Sequence, residues 1–212
     1  MLQGISYNLL HPEAVMYTVA TALFYPILIL LTFALLYMVF ELGRFTLEMF
    51  QRDRNRSLGR IESAALTAKI SKAAGNPPQA VADLRGISTN WLVRQFVASL
   101  GTGADLSEDR LAKQLIDTEM VANKRLDRTR IWIRLGPIIG LITTLIPISP
   151  ALVALAKGDL EVLSANLVIA FSTTVIALFV SGMAFVISLY RERAYLGDIS
   201  DIEYALELME EG

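Results

Sequence analysis

The sequence predicts an all-α integral membrane protein with three transmembrane helices and a large helical insert on the cytoplasmic side. Three observations predict it. Residues 14–40, 135–156 and 162–190 contain no Asp, Glu, Lys, Arg or His, and each run exceeds the roughly 20 residues that an α-helix needs to cross about 30 Å of hydrocarbon. Hydrophobic residues make up 54% of the chain and the mean hydropathy is +0.48, above the roughly 45–50% apolar content of soluble domains. Of the 19 Lys and Arg residues, 16 lie between Arg44 and Arg134, an asymmetry that sets orientation in a bilayer. The formal net charge of −2 argues against nucleic-acid binding. With no cysteine, disulfide frameworks and thiolate metal sites are excluded, and no cofactor or metal site is expected.

Residues 1–13 form an outer segment with the single histidine, His11. No other metal-ligating residue stands at a useful spacing from it, so a surface or interfacial role is expected. The first span, residues 14–40, carries Tyr17, Phe24, Tyr25, Tyr37 and Phe40 mostly towards its ends, where amphipathic rings favour the interfaces. No basic residue precedes it, which argues against a secretory signal. Pro26 lies inside this span and is tolerable where neighbouring groups satisfy the freed carbonyl. Glu41 marks the water boundary. Arg44, Arg52, Arg54 and Arg56 follow it, and Lys124, Arg125, Arg128, Arg130 and Arg134 precede the second span. The positive-inside rule therefore places residues 41–134 in the cytoplasm and the N-terminus outside.

Within that insert, Phe45 to Ala74 reads as helix, and Gly75-Asn76-Pro77-Pro78 as its stop. Gln79 to Leu100 reads as one or two short helices with Trp91, Leu92, Phe96 and Val97 as apolar positions. Gly101-Thr102-Gly103 breaks the chain again. Leu111, Leu115, Ile116, Met120 and Val121 then recur at helical period, with Asp105 or Ser107 as N-cap and a helix expected to run on through Arg134 into the second span. The arginines at 52, 54, 56 and 60 suit anionic lipid headgroups or a partner surface.

The second span, residues 135–156, ends in a short outer loop, residues 157–161, where Lys157, Asp159 and Glu161 suit a solvated turn. The third span, residues 162–190, is followed by Arg191 and Arg193 as interface anchors. The cytoplasmic tail, residues 191–212, is acidic, and Asp198 to Gly212 reads as a separate short amphipathic helix. Ile199, Ile202, Leu206 and Met209 form its apolar side, and Ser200 with Glu203 its capping box. That segment either packs on the basic insert or is a solvated end that merely finishes the third span.

The polar content of the spans is confined to small residues. In the third, Asn166, Ala170, Thr173, Ala177, Ser181, Ala184 and Ser188 recur at steps of three or four; in the second, Gly136, Gly140, Thr143, Thr144 and Pro147 make a comparable face. Pro147 and Pro150 should bend the outer end. Such faces serve close helix packing or border a pore, and spacing alone leaves both open.

Pro137-Ile138-Ile139-Gly140-Leu141-Ile142-Thr143-Thr144-Leu145 resembles the PLLGLLGTV signature of the MotA/TolQ/ExbB family of ion-driven motor subunits. Ala170-Phe171-Ser172-Thr173-Thr174-Val175-Ile176-Ala177-Leu178 is similar to that family's ALxTTxxGL segment. Three spans resemble the TolQ/ExbB type more than MotA. The resemblance implies a homopentamer in the cytoplasmic (inner) membrane, N-terminus outside and C-terminus in the cytoplasm. It also implies an ExbD/TolR/MotB-like single-span partner, whose acidic residue carries the ion.

Carried over by position, Thr144 and Thr174 are the motif threonines, and Thr143, Thr173, Asn166, Ala170, Ala177 and Ser181 complete the expected pore lining. Thr143 and Ala177 replace glycines. Ile169 stands where ExbB-like members carry a glutamate, so these spans hold no acid at all. Hydroxyls do not titrate near neutral pH, and an ion in hydrocarbon needs a carboxylate relay. The expectation is therefore a non-enzymatic membrane subunit of a proton-driven or sodium-driven motor or channel that supplies a polar wall around a partner's acid. The alternative is a non-conducting scaffold whose cytoplasmic helices recruit a soluble protein; a transporter half fits less well, since no inverted repeat is present.

Overall fold

The computed structural model describes residues 12–52, 58–101 and 106–210, the side chains of residues 12–14 excepted. Every regular element among them is helical. In chain order they are α1 (Pro12–Gln51), α2 (Leu58–Ala73), α3 (Pro77–Asp83), a 3₁₀ turn (Leu84–Gly86), α4 (Trp91–Leu100), α5 (Glu108–Ala156) and α6 (Leu160–Glu210). Three of these, α1, α5 and α6, are long and apolar enough to cross a membrane. His11, Arg54, Arg56 and Asp105 lie outside the described residues.

Helix ends follow local chemistry. Gly75 adopts φ +73°, and behind it Asn76 N donates to Ser71 O and Gly75 N to Lys72 O. This is the paired closure that a left-handed residue after a helix permits, and glycine enters that conformation without a Cβ clash. Gly158 (φ +77°) closes α5 the same way, with Asp159 N on Ala154 O and Gly158 N on Leu155 O. Asp159 then starts α6 by accepting from Val162 N at 3.0 Å. Residues 157–159 therefore form a turn between α5 and α6.

Three expected boundaries differ. The helix of the first span does not stop at Glu41, which is buried, but runs to Gln51, so Phe45 to Gln51 belongs to α1 and not to the next helix. Pro77 does not merely end the preceding helix; it opens α3, with Asn76 Oδ1 accepting from Gln79 N at 3.4 Å, because proline at the first helical position lacks only a hydrogen that would find no partner there. The tail is not a separate helix: α6 continues through residue 200 to Glu210, so the N–H groups that a Ser200 cap would serve are already bonded along the helix.

The chain divides into two compact units, Met1–Gly43 with Arg130–Val186, and Arg44–Thr129 with Ile187–Gly212. In the first, Leu31, Ala34 and Met38 of α1 are buried with Ile139 of α5 and Ala177, Val180 and Ala184 of α6. The remaining surface is apolar: Tyr25, Phe33, Phe40, Leu145, Phe171 and Val175 are all exposed. So much apolar surface suits lipid or other copies of the chain and would aggregate in water.

The second unit has an ordinary water-excluding core. On α4, Leu92, Val93, Phe96, Val97 and Leu100 recur at helical spacing and all are buried. Phe96 joins Ile61 and Ala65 of α2, Val81 of α3, Leu111 of α5 and Ile202, Leu206 and Met209 of α6. The tail thus packs its apolar side into this core; Tyr204 Oη donates to Glu62 Oε1 at 3.1 Å and Lys69 Nζ to Leu208 O at 3.3 Å. The tail therefore finishes the helix of the third span, as one of the two readings had it, and packs on the insert, as the other had it; it is not a solvated end.

Candidate functional site

Small and polar residues of the second and third spans meet along a seam that takes in Gly136 and Gly140 on α5 and Thr174, Ala177 and Ser181 on α6. Gly136 faces Ser181 so closely that a Cβ on it would lie 2.6 Å from Ser181 Cβ and 2.9 Å from Ala177 O. One turn on, a Cβ on Gly140 would lie 3.3 Å from Ala177 Cβ. Small residues are needed here because the backbones of α5 and α6 approach too closely for anything larger. Ser181 Oγ crosses the seam to donate to Ile133 O at 2.9 Å.

Three threonines converge on one carbonyl. Gly140 O is within reach of Thr143 Oγ1 at 3.0 Å, Thr144 Oγ1 at 3.3 Å and Thr174 Oγ1 at 3.2 Å, the last from the opposite helix. Each hydroxyl has one proton, and two have a second acceptor: Thr144 has Leu141 O at 2.7 Å and Thr174 has Ala170 O at 2.9 Å. Donation inward leaves the oxygen lone pairs of the partly exposed Thr144 and Thr174 able to accept. Thr173 donates to Ile169 O at 2.9 Å and Ala170 O at 3.0 Å, and Asn166 Nδ2 to Val162 O at 2.8 Å; both side chains are half-buried.

The eight residues singled out from sequence therefore divide. Thr143, Ala170, Ala177 and Ser181 are buried within this chain, Ala177 and Ser181 of them against the glycines of α5. Thr144, Thr173, Thr174 and Asn166 keep exposed surface on its flank.

A second polar concentration lies in the other unit and was not singled out. Glu48 accepts from Arg125 Nη2 at 3.0 Å, Arg191 Nε at 3.1 Å and Tyr195 Oη at 2.9 Å. Asp198 accepts from Arg52 Nη2 at 2.7 Å and Asn90 Nδ2 at 2.8 Å. Arg191, read as an interface anchor, is instead only 2% exposed. The Arg125 guanidinium lies 4.5 Å from the Trp91 ring centre, and Trp91 and Tyr195 pack with ring centres 5.8 Å apart. Burial, and then the adjoining Glu48 carboxylate, push the Tyr195 phenol well above its usual value. No spacing in the sequence joins these residues, since the partners of Glu48 stand 77 to 147 positions away.

The family model of the MotA/TolQ/ExbB proton channel family matches residues 85–203, which take in the second and third spans. No curated protein and no solved structure matches the chain.

Proposed function

The chain belongs to the MotA/TolQ/ExbB proton channel family and is thereby a multi-pass membrane subunit of proton-channel type, and from that premise we propose that it forms the wall of an ion-driven motor around an acid supplied by another protein. Copies of the chain, five in the family arrangement, surround an ExbD/TolR/MotB-like single-span helix whose carboxyl carries a proton or a sodium ion. The wall consists of Thr144, Thr173, Thr174 and Asn166, with Thr143, Ala170, Ala177 and Ser181 as the packing that holds them in register. The N-terminus faces outward and the C-terminus the cytoplasm of the inner membrane.

The observation that carries this reading is the triple approach of hydroxyls to Gly140 O. While Thr144 and Thr174 donate to backbone carbonyls, their oxygens accept, which suits a protonated carboxyl or a hydrated proton. Rotated away from the backbone, the same hydroxyls donate to a carboxylate. A neutral hydrogen bond is worth about 1 kcal/mol net and one to a charged group about 1.5–3 kcal/mol, so rotation towards an ionised acid is favourable. The wall thereby serves both protonation states without titrating itself. Ionised, the acid is held at the hydroxyls; neutralised, it passes apolar wall at much lower cost. Ion flow then drives relative movement of wall and partner.

The test is Thr144→Val with Thr174→Val, co-reconstituted with the partner in liposomes and assayed for ion flux driven by a pH gradient. Loss of flux with an intact complex is expected. Unchanged flux would overturn the wall role and favour the scaffold.

A further inference from the structure

The unit built from Arg44–Thr129 and Ile187–Gly212 carries a local concentration of positive charge, around cavities whose linings hold more cations than carboxylates. Two cavities share Arg44, Trp91 and Arg125. One, of about 280 Å³, is also bordered by Arg52 and Arg94; the other, of about 530 Å³, by Lys124 and Arg128. Against these six cations stand two carboxylates, Glu48 and Asp198. Both are already occupied, Glu48 by Arg125, Arg191 and Tyr195, and Asp198 by Arg52 and Asn90. Among the described residues, the side chains of Arg94, Lys124 and Arg128 make no hydrogen bond or ion pair.

Like charges gathered around a concave surface repel one another, and an anion entering it relieves that repulsion. The arrangement suits a tetrahedral anion, with oxygens pointing several ways, better than a flat carboxylate, because the cations on α1, α4 and α5 approach from different directions. Guanidinium groups fork two N–H donors onto neighbouring phosphate oxygens. Arg125 is prepared for this: the Trp91 face holds its plane on one side, while Glu48 takes only Nη2.

We propose that these cavities form a binding site for a phosphate-ester anion, borne by a lipid headgroup or by a small phosphorylated solute. The site stands apart from the threonine seam and does not depend on it. Sequence position makes the lipid source accessible: Arg44 follows the first uncharged run by four residues and Arg128 precedes the second by seven, about 6 and 10 Å of helix.

The full chain, purified in a neutral maltoside detergent, is offered phosphatidylglycerol, phosphatidylcholine and ³²P-labelled inorganic phosphate in separate experiments. Lipid retention is read by native mass spectrometry and phosphate binding by equilibrium dialysis. Expected is saturable binding of phosphatidylglycerol or of phosphate, and at least tenfold weakening in Arg94→Gln/Lys124→Gln/Arg128→Gln. Phosphatidylglycerol retained over phosphatidylcholine, without phosphate binding, assigns the lipid source; saturable phosphate binding assigns the solute. The three positions are exposed, so the variant should fold, and an unchanged circular dichroism spectrum verifies it. Should it unfold, the single change Arg94→Gln, expected to weaken binding at least threefold, takes its place. Arg85→Gln/Arg110→Gln/Lys113→Gln removes as much charge away from the cavities and must leave binding intact. Absence of saturable binding, equal binding by the folded cavity variant, or equal loss in the control overturns the proposal.

Discussion

Thr174 reaches across from α6 to place its hydroxyl 3.2 Å from the Gly140 carbonyl of α5. That bond ties together the two motif segments, and the approach at Gly140 is close: a Cβ there would lie 3.3 Å from Ala177 Cβ, a tight contact, and 3.7 Å from Thr174 Cγ2, an ordinary one. Thr174→Val keeps the shape and loses the donor. In a membrane such an interhelical bond averages about 0.6 kcal/mol, so the expected loss of thermal stability in detergent is small. The expected loss of ion flux in the reconstituted complex is at least tenfold, and Thr174→Ser, which retains the hydroxyl, should recover most of it. A large stability loss with proportionate flux would reassign Thr174 to packing alone.

Gly136 gives the sharper packing prediction. Gly136→Ala puts a carbon 2.6 Å from Ser181 Cβ and 2.9 Å from a backbone oxygen, distances that force α5 and α6 apart. Overpacking of this kind costs about 1–3 kcal/mol, and the separation also stretches the Ser181–Ile133 bond. A lowered midpoint of thermal unfolding is expected for Gly136→Ala. Gly43→Ala, where a Cβ meets nothing within 4 Å, should be neutral or slightly stabilising, since alanine is the better helix former. Partial recovery by Ser181→Gly in the Gly136→Ala chain would locate the clash.

The spans were legible because exclusion of charge over more than 20 residues has few other causes, and the glycine stops at 75 and 101 because left-handed backbone selects glycine; Gly158 went unread, the break there being taken from its charges. Helix continuity across the water boundary was not legible. Nothing in α1 between Phe40 and Gln51, or in α6 between Tyr190 and Glu210, interrupts backbone hydrogen bonding, so a change of solvent leaves no mark on the helix. In the seam, the residue types were readable, but not which half would be buried. That depends on how closely α5 and α6 approach at Gly136, a tertiary fact. The Glu48 network was invisible for a related reason: an isolated Glu, Arg or Tyr has no periodic signature, and only folding brings Arg125, Arg191 and Tyr195 to one carboxylate.

That network makes a second kind of prediction. Arg191 is 2% exposed and relies on Glu48 for a charged acceptor at 3.1 Å. Glu48→Ala leaves the buried guanidinium without that carboxylate, a change that typically costs about 3–5 kcal/mol. Replacing both groups should cost less, because the fully buried guanidinium is then gone and the half-buried Arg125 and the Tyr195 hydroxyl are the groups left to lose the carboxylate. Glu48→Ala is therefore expected to unfold at markedly lower temperature or denaturant, and Glu48→Ala/Arg191→Met to recover at least half of the loss. Equal destabilisation by the single and double changes would show that Glu48 matters to this unit in some other way.

Tyr195 adds a pH dependence whose sign follows from its surroundings. Burial, with the Glu48 carboxylate that accepts its proton, holds the phenol protonated above its usual value near 10. In the unfolded chain the same phenol ionises at that usual value, so above about pH 10 the folded state binds more protons than the unfolded one. Stability must then fall with rising pH. Its contribution is complete below pH 10 and is lost progressively as the pH climbs towards the raised folded value. Tyr195→Phe keeps the ring against Trp91 and removes both the titration and the bond to Glu48. At neutral pH the variant should lose about 0.5–1.5 kcal/mol for that bond. Denaturant midpoints measured between pH 8 and 11 should converge for the two chains as alkalinity erodes the parent's advantage. Parallel curves across that range would mean that Tyr195 is not shielded as its packing implies.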